Sequence, residues 1–141
     1  MTKRVAYIKS IATHLPEGRI TNEDLSREFP DWTPEKIVEK TGIVVRAVAG
    51  PDECASDLGC AAAEKLFGSR TCAREDVDFL LFCTQSPDYY LPTTACAMQD
   101  RLGLRKDIGA LDFNLGCSGF VEGLSLAKGL IESGQVDNVL L

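Results

Sequence analysis

Three observations predict an α/β fold built on a mostly parallel sheet. Short apolar runs at residues 77–83, 108–113 and 138–141 alternate with helical runs at residues 55–67, 92–102 and 118–133. The run at residues 77–83 is apolar almost throughout, which marks a strand covered on both faces. Gly68, Gly103 and Gly134 stand where the three helical runs stop. A βαβ order of this kind places helices on both sides of one sheet.

Taken in order, residues 5–15 read as a first strand, ended by Pro16 and Gly18. Thr21 and Asn22 can cap a short helix through Phe29, with Glu23 and Asp24 in its first turn. Pro34 suits the first position of a second short helix reaching Lys40, and Gly42 ends it. The β-branched run at residues 43–49 reads as a strand. Residues 55–67 form a helix with Leu58, Ala62 and Leu66 on one stripe. After the strand at residues 77–83, Pro92 opens a helix that runs to about Leu102. The strand at residues 108–113 leads into the helix at residues 118–133, whose Phe120, Val121, Leu124, Ala127 and Ile131 share a face. Asn138-Val139-Leu140-Leu141 begins another buried strand. A two-sided apolar strand that ends with the polypeptide reads as the front part of a longer protein.

A chain of 141 residues, 45% hydrophobic and 26% charged, has the makings of one modest domain with a real core. A net charge of −6 argues against general nucleic-acid binding but leaves room for a local basic patch facing a phosphorylated ligand. The six cysteines form no Cys-x-x-Cys pair, and the single histidine, His14, excludes a zinc site of several imidazoles, so no metal site is expected. His14 reads as a surface or structural residue. Cys60, Cys83 and Cys96 read as packing residues in helices and a strand, and the loop residues Cys54 and Cys72 as the more exposed. The apolar run Val5-Ala6-Tyr7-Ile8 is too short for a signal segment, and nothing approaches a membrane span. A cytoplasmic location, reduced thiols and no membrane or nucleic-acid partner are the expectation.

Cys117 is the candidate nucleophile. It lies in Asp112-Phe113-Asn114-Leu115-Gly116-Cys117-Ser118-Gly119-Phe120, on a turn between an expected strand and an expected helix. Backbone N–H groups at a helix start favour thiolate, and equally the oxyanion formed on a thioester carbonyl. Gly116 and Gly119 leave room for a sharp turn and a close ligand. An α/β-hydrolase elbow would place glycines two before and two after the nucleophile; here Leu115 breaks that pattern.

Thr41-Gly42-Ile43 with Arg46, Ser56-Asp57-Leu58, Leu91-Pro92-Thr93-Thr94-Ala95-Cys96, Leu102-Gly103, Asp112-Phe113-Asn114 and Cys117-Ser118-Gly119-Phe120 occur in register. Together they resemble the N-terminal portion of β-ketoacyl-acyl carrier protein synthase III, a thiolase-fold condensing enzyme. The resemblance implies the first half of a layered αβαβα sandwich, spanning residues 1–141, and a homodimer. It implies that Cys117 takes an acyl group from acyl-CoA and that malonyl-acyl carrier protein then condenses with it, losing CO2, in fatty-acid initiation. No permanently bound cofactor is implied. A His and an Asn from the second half would assist decarboxylation, so this chain alone is expected to be inactive. Leu91 falls where relatives carry a residue that reaches across the dimer to the partner's acyl pocket. The positions of the family's adenine-holding Trp and Arg carry Lys36 and Val44, and Lys40 stands in a basic position directly before the Thr-Gly-Ile motif. Lys36 and Lys40 are therefore the candidate contacts to CoA phosphates, with Trp32 lying four residues before Lys36. A ketosynthase of specialised metabolism, a cysteine-dependent thioester hydrolase and a non-catalytic partner subunit are the alternatives.

Overall fold

The computed structural model describes residues 4–141. They form two compact units, residues 15–53 and a second unit of residues 4–14 with 54–141.

The smaller unit is a hairpin with two helices. Strand β1 (Gly18–Thr21) pairs antiparallel with β2 (Val45–Val48), with Gly18 opposite Val48 and Thr21 opposite Val45. Between them run α1 (Asn22–Glu28) and α2 (Pro34–Thr41). Thr21, rather than Asn22, caps α1: its Oγ1 accepts from the Asp24 N–H at 3.2 Å, and the Asp24 carboxylate accepts from the Thr21 N–H at 2.9 Å. Asn22 is instead 1% exposed; its amide donates to the Ile43 carbonyl at 2.9 Å and accepts from Arg46 at 2.8 Å. A buried amide with both ends satisfied ties the helix to the second strand. Pro34 opens α2 as expected, and Gly42 closes it at φ 70°, a left-handed conformation that favours glycine.

The larger unit holds a three-stranded parallel sheet of order β4-β3-β5, formed by β3 (Phe79–Cys83), β4 (Gly109–Phe113) and β5 (Val139–Leu140). Its helices are α3 (Ala55–Gly68), α4 (Thr94–Arg101) and α5 (Gly119–Glu132). Leu80 joins Cys60, Ala63, Phe67, Ala95 and Met98 in the core beneath α3 and α4, while Cys83 meets α5 at Gly119. Side chains alternate across a strand, so helices cover both faces, which explains the unbroken apolar run. The Asp78 carboxylate accepts from the N–H groups of Asp137 and Asn138 at 3.0 Å each and pairs with Arg105 at 2.6 Å, fixing the entry to β5. Among the described residues no helix is long and apolar enough to cross a membrane.

Several expectations are corrected. Residues 5–15 form no strand, and Val5, Tyr7, Ile8, Ile11 and Leu15 are exposed. A β-branched run becomes a strand only where another strand meets its backbone groups; here the recorded ties are Ala6 N–H to Glu132 and Lys65 to the Thr13 carbonyl. The buried stripe of α3 is Ser56, Cys60, Ala63 and Phe67, rotated from Leu58, Ala62 and Leu66. The helix does stop at Gly68, its last residue, and Arg70 beyond it adopts positive φ, at 60°. On α5 the buried positions are Gly119 and Gly123, while Phe120 and Val121 are exposed. A Cβ at Gly119 would stand 2.5 Å from Cys83 Sγ, and one at Gly123 would stand 2.9 Å from the Phe113 ring. The helix approaches the sheet through its smallest residues, which pushes the bulkier apolar ones to the flank.

Candidate active site

Strand β4 delivers the chain to a tight turn in which the Gly119 N–H donates to the Gly116 carbonyl at 2.9 Å. Cys117 sits within this turn and is exposed, open to solvent at the start of α5. Ser118, the cap residue of α5, makes no side-chain cap bond, so beyond the Gly119 N–H no cap competes with an incoming carbonyl oxygen for the first-turn N–H groups. The Gln85 side chain lies 3.7 Å from where a Cβ on Gly116 would stand, and Cys83 Sγ fills the space against Gly119. Small residues at 116 and 119 thus keep the turn tight and its outer face open.

The loop at residues 84–93 carries the exposed Tyr89, Tyr90 and Leu91, with Leu91 88% exposed. Its far end is held by a buried polar chain. Thr94, 0% exposed, accepts the Asp88 N–H at 3.0 Å, and the Asp88 carboxylate accepts the Ser56 N–H at 3.2 Å. Arg101 on α4 donates to Ser56 Oγ and to the Asp57 carboxylate, both at 2.6 Å. The Cys54 N–H and then Arg101 hold the Asp57 carboxyl below the usual aspartate range. The Asp112 carboxylate accepts the N–H groups of Thr94 and Ala95 at 2.7 and 2.6 Å. Asp112 appears in the sequence motif without an assigned role. Its signal is a lone carboxylate inside an otherwise apolar strand, a position where a charge needs fixed partners.

Lys36 and Lys40 lie on α2 of the smaller unit and are exposed; Lys36 Nζ donates to the Asp31 carbonyl at 3.2 Å. Trp32, in the turn before α2, is half exposed. An open cleft of about 380 Å³ in the same unit is lined by Glu17, Gly18, Gly50, Pro51, Asp52 and Glu53, whose carboxylates suit phosphate poorly. His14 is only part-buried, and its Nδ1 has no hydrogen-bond partner. Cys54 is exposed as expected, but Cys96 is exposed and Cys72 half-buried. Burial pushes the Cys60 and Cys72 thiols up. Among the described residues no group of three His, Cys, Asp or Glu side chains could hold a metal ion.

The family profile described as 3-oxoacyl-[acyl-carrier-protein (ACP)] synthase III matches residues 111–141, from β4 through the Cys117 turn and α5 to the chain end. The β-ketoacyl-[acyl-carrier-protein] synthase III of Sulfurovum sp. strain NBC37-1 is 42% identical over 137 residues, covering 96% of this chain and 40% of that protein. A crystal structure of 3-oxoacyl-(acyl-carrier-protein) synthase III is 55% identical with a TM-score of 0.89, covering 98% of this chain and 41% of the other. The chain matches an N-terminal portion of the β-ketoacyl-acyl carrier protein synthases III. The synthase III from Thermus thermophilus is a further structural match, 36% identical with a TM-score of 0.85 over 95% of this chain and 41% of that one.

The chain spans about 40% of the length of the curated synthase III relatives it matches. Its α/β fold, with the three-stranded parallel sheet, matches part of the thiolase-like synthase III structures. It is thus a homologue of condensing enzymes. The profile match includes Cys117, Asp112 and Gly119, whereas Lys36, Lys40 and Leu91 lie outside it.

Proposed function

We propose that this chain carries the acyl-accepting portion of a β-ketoacyl-acyl carrier protein synthase III, with Cys117 as the nucleophile. The observation that carries the reading is an exposed cysteine on a glycine-flanked turn at an uncapped helix start, within the stretch that matches the family profile. Cys117 Sγ attacks the thioester carbonyl of an acyl-CoA, the tetrahedral oxyanion draws on α5 N–H groups, and CoA leaves as its thiol. Malonyl-acyl carrier protein then loses CO2. The resulting carbanion attacks the acyl-cysteine carbonyl, forming 3-oxoacyl-acyl carrier protein and releasing the Cys117 thiolate. Splitting the condensation into two thioester steps holds the acyl group in place for the second partner. In this reading the donors that stabilise the thioester enolate come from the part of a synthase III beyond the region matched here. Residues 1–141 correspond to its first half, and the protein works as a homodimer without a bound cofactor.

Lys36 and Lys40 meet the phosphates of the CoA donor as point charges, and Leu91 lines an apolar acyl tunnel across the dimer. Intact-protein mass spectrometry after exposure to acyl-CoA and to acyl-carrier donors tests the assignment. A stable mass gain localised to Cys117, lost in Cys117→Ala, is expected. Rapid release of the acyl group to water would favour a hydrolase, and no gain on Cys117 in the full-length protein would refute the nucleophile. Lys36→Gln with Lys40→Gln is expected to raise KM for acyl-CoA while leaving acyl-carrier donors unaffected.

A further inference from the structure

Asp112 and Phe113 end strand β4 five and four residues before Cys117, and together they hold both ends of the loop at residues 84–93. At one end the Thr84 N–H donates to the Phe113 carbonyl at 3.1 Å. At the other, the Asp112 carboxylate takes the N–H groups of Thr94 and Ala95, two residues with no exposed surface. Thr94 Oγ1 in turn takes the Asp88 N–H from within the loop. The Gln85 side chain, near the loop start, stands beside Gly116 of the nucleophile turn.

Helix α4 needs a cap, because the Thr93 hydroxyl turns to Cys96 Sγ at 3.3 Å and caps no backbone N–H. A local Ser, Thr or Asp would serve that need alone. A carboxylate reaching from a separate strand does something a local cap cannot: it sets the helix start, and the loop tip before it, relative to β4 and the turn that β4 feeds. A charged acceptor among buried amides holds that register firmly.

We propose that Asp112 is a positioning residue that registers the Leu91 loop against the Cys117 turn, and thereby decides, through Leu91 at the partner's acyl pocket, which acyl groups the dimer accepts. The proposal rests on the acyl-accepting reading of Cys117. Asp112→Asn keeps one acceptor but turns an NH2 toward the second N–H, so one of the two bonds is lost. Thr94→Val breaks only the link to Asp88.

The test compares wild type, Asp112→Asn and Thr94→Val as full chains with three readouts. Hydrogen exchange at the Thr94 and Ala95 amides is expected to rise about tenfold in Asp112→Asn. The ratio of Cys117 labelling by a long-chain N-alkylmaleimide to labelling by N-methylmaleimide is expected to shift about fivefold or more, in the same direction in both variants. Acyl-transfer preference between short and long donors should shift with it. Faster exchange with an unchanged maleimide ratio would reduce Asp112 to a helix cap and overturn the proposal, as would unchanged exchange. If Asp112→Asn does not fold, the ratio in Thr94→Val decides. A wild type that never accepts an acyl group would sink the nucleophile assignment, and the maleimide ratio still judges Asp112. Normal acylation with an unshifted acyl preference would sink Asp112 alone.

Discussion

Gly119→Ala probes the contact that seats α5 on the sheet beside Cys117. The added Cβ would stand 2.5 Å from Cys83 Sγ and 3.5 Å from the Leu115 Cβ. The second distance is an ordinary contact, so nearly all the strain comes from one sulfur. Overpacking costs about 1–3 kcal/mol, and replacing glycine by alanine in a helix returns up to about 1 kcal/mol. The net expectation is a loss of about 1–2 kcal/mol in urea unfolding of the full chain. Cys83→Ala removes the sulfur, so Gly119→Ala should cost little in that background, leaving a coupling energy of about 1 kcal/mol or more in the double-mutant cycle. Cys117 alkylation should change with Gly119→Ala and recover in the double variant, because the same contact seats the turn. If Cys83→Ala leaves the penalty unchanged, the clash is not where the distances place it and the reasoning fails.

Thr21→Ala removes one half of the reciprocal cap on α1 and should lower stability by about 1 kcal/mol in denaturant unfolding, an effect Thr21→Ser should largely avoid. The Asp57 carboxyl lies below its ordinary range through the Cys54 N–H and then Arg101, and that of Asp24 through the backbone N–H and side chain of Thr21. Folded values below unfolded ones mean stability that is present above about pH 4 and lost as pH falls through the folded values. Asp57→Asn should therefore flatten part of the acid limb in unfolding measured against pH; parallel limbs would contradict the linkage. In a timed iodoacetamide reaction resolved by mass spectrometry, the exposed Cys54, Cys96 and Cys117 should be modified before Cys60, whose buried thiol is pushed up.

Local signals proved legible where one or two neighbouring residues decide the conformation. Pro34 and Gly42 bracket α2 as read, because a fixed φ and a left-handed stop are properties of single residues. The β4–turn–α5 passage was equally readable from an apolar run, glycines and a helical period. The run at residues 5–15 was misread because strand formation depends on a partner supplied elsewhere. The α3 stripe was misread by a fraction of a turn: Ser56 is buried through Arg101, a residue 45 positions away. At the site, Cys117 was visible in its motif, but the Asp112 contacts to Thr94 and Ala95 cross 18 and 17 residues and follow no local rule.

By itself, then, the sequence determined the order of the helices, the parallel α/β class and the cysteine at the strand-to-helix turn, since these follow from backbone preference and apolar period; the start of α4 it misplaced, since that helix begins at Thr94 and Pro92 lies in the turn before it. Tertiary structure alone decided the strand order β4-β3-β5, the face by which α5 meets the sheet and the carboxylate that ties the Leu91 loop to the nucleophile's strand. The physical reason is that these are pairings between distant groups, and a half-buried charge or a missing side chain acquires meaning only once its neighbours are in place.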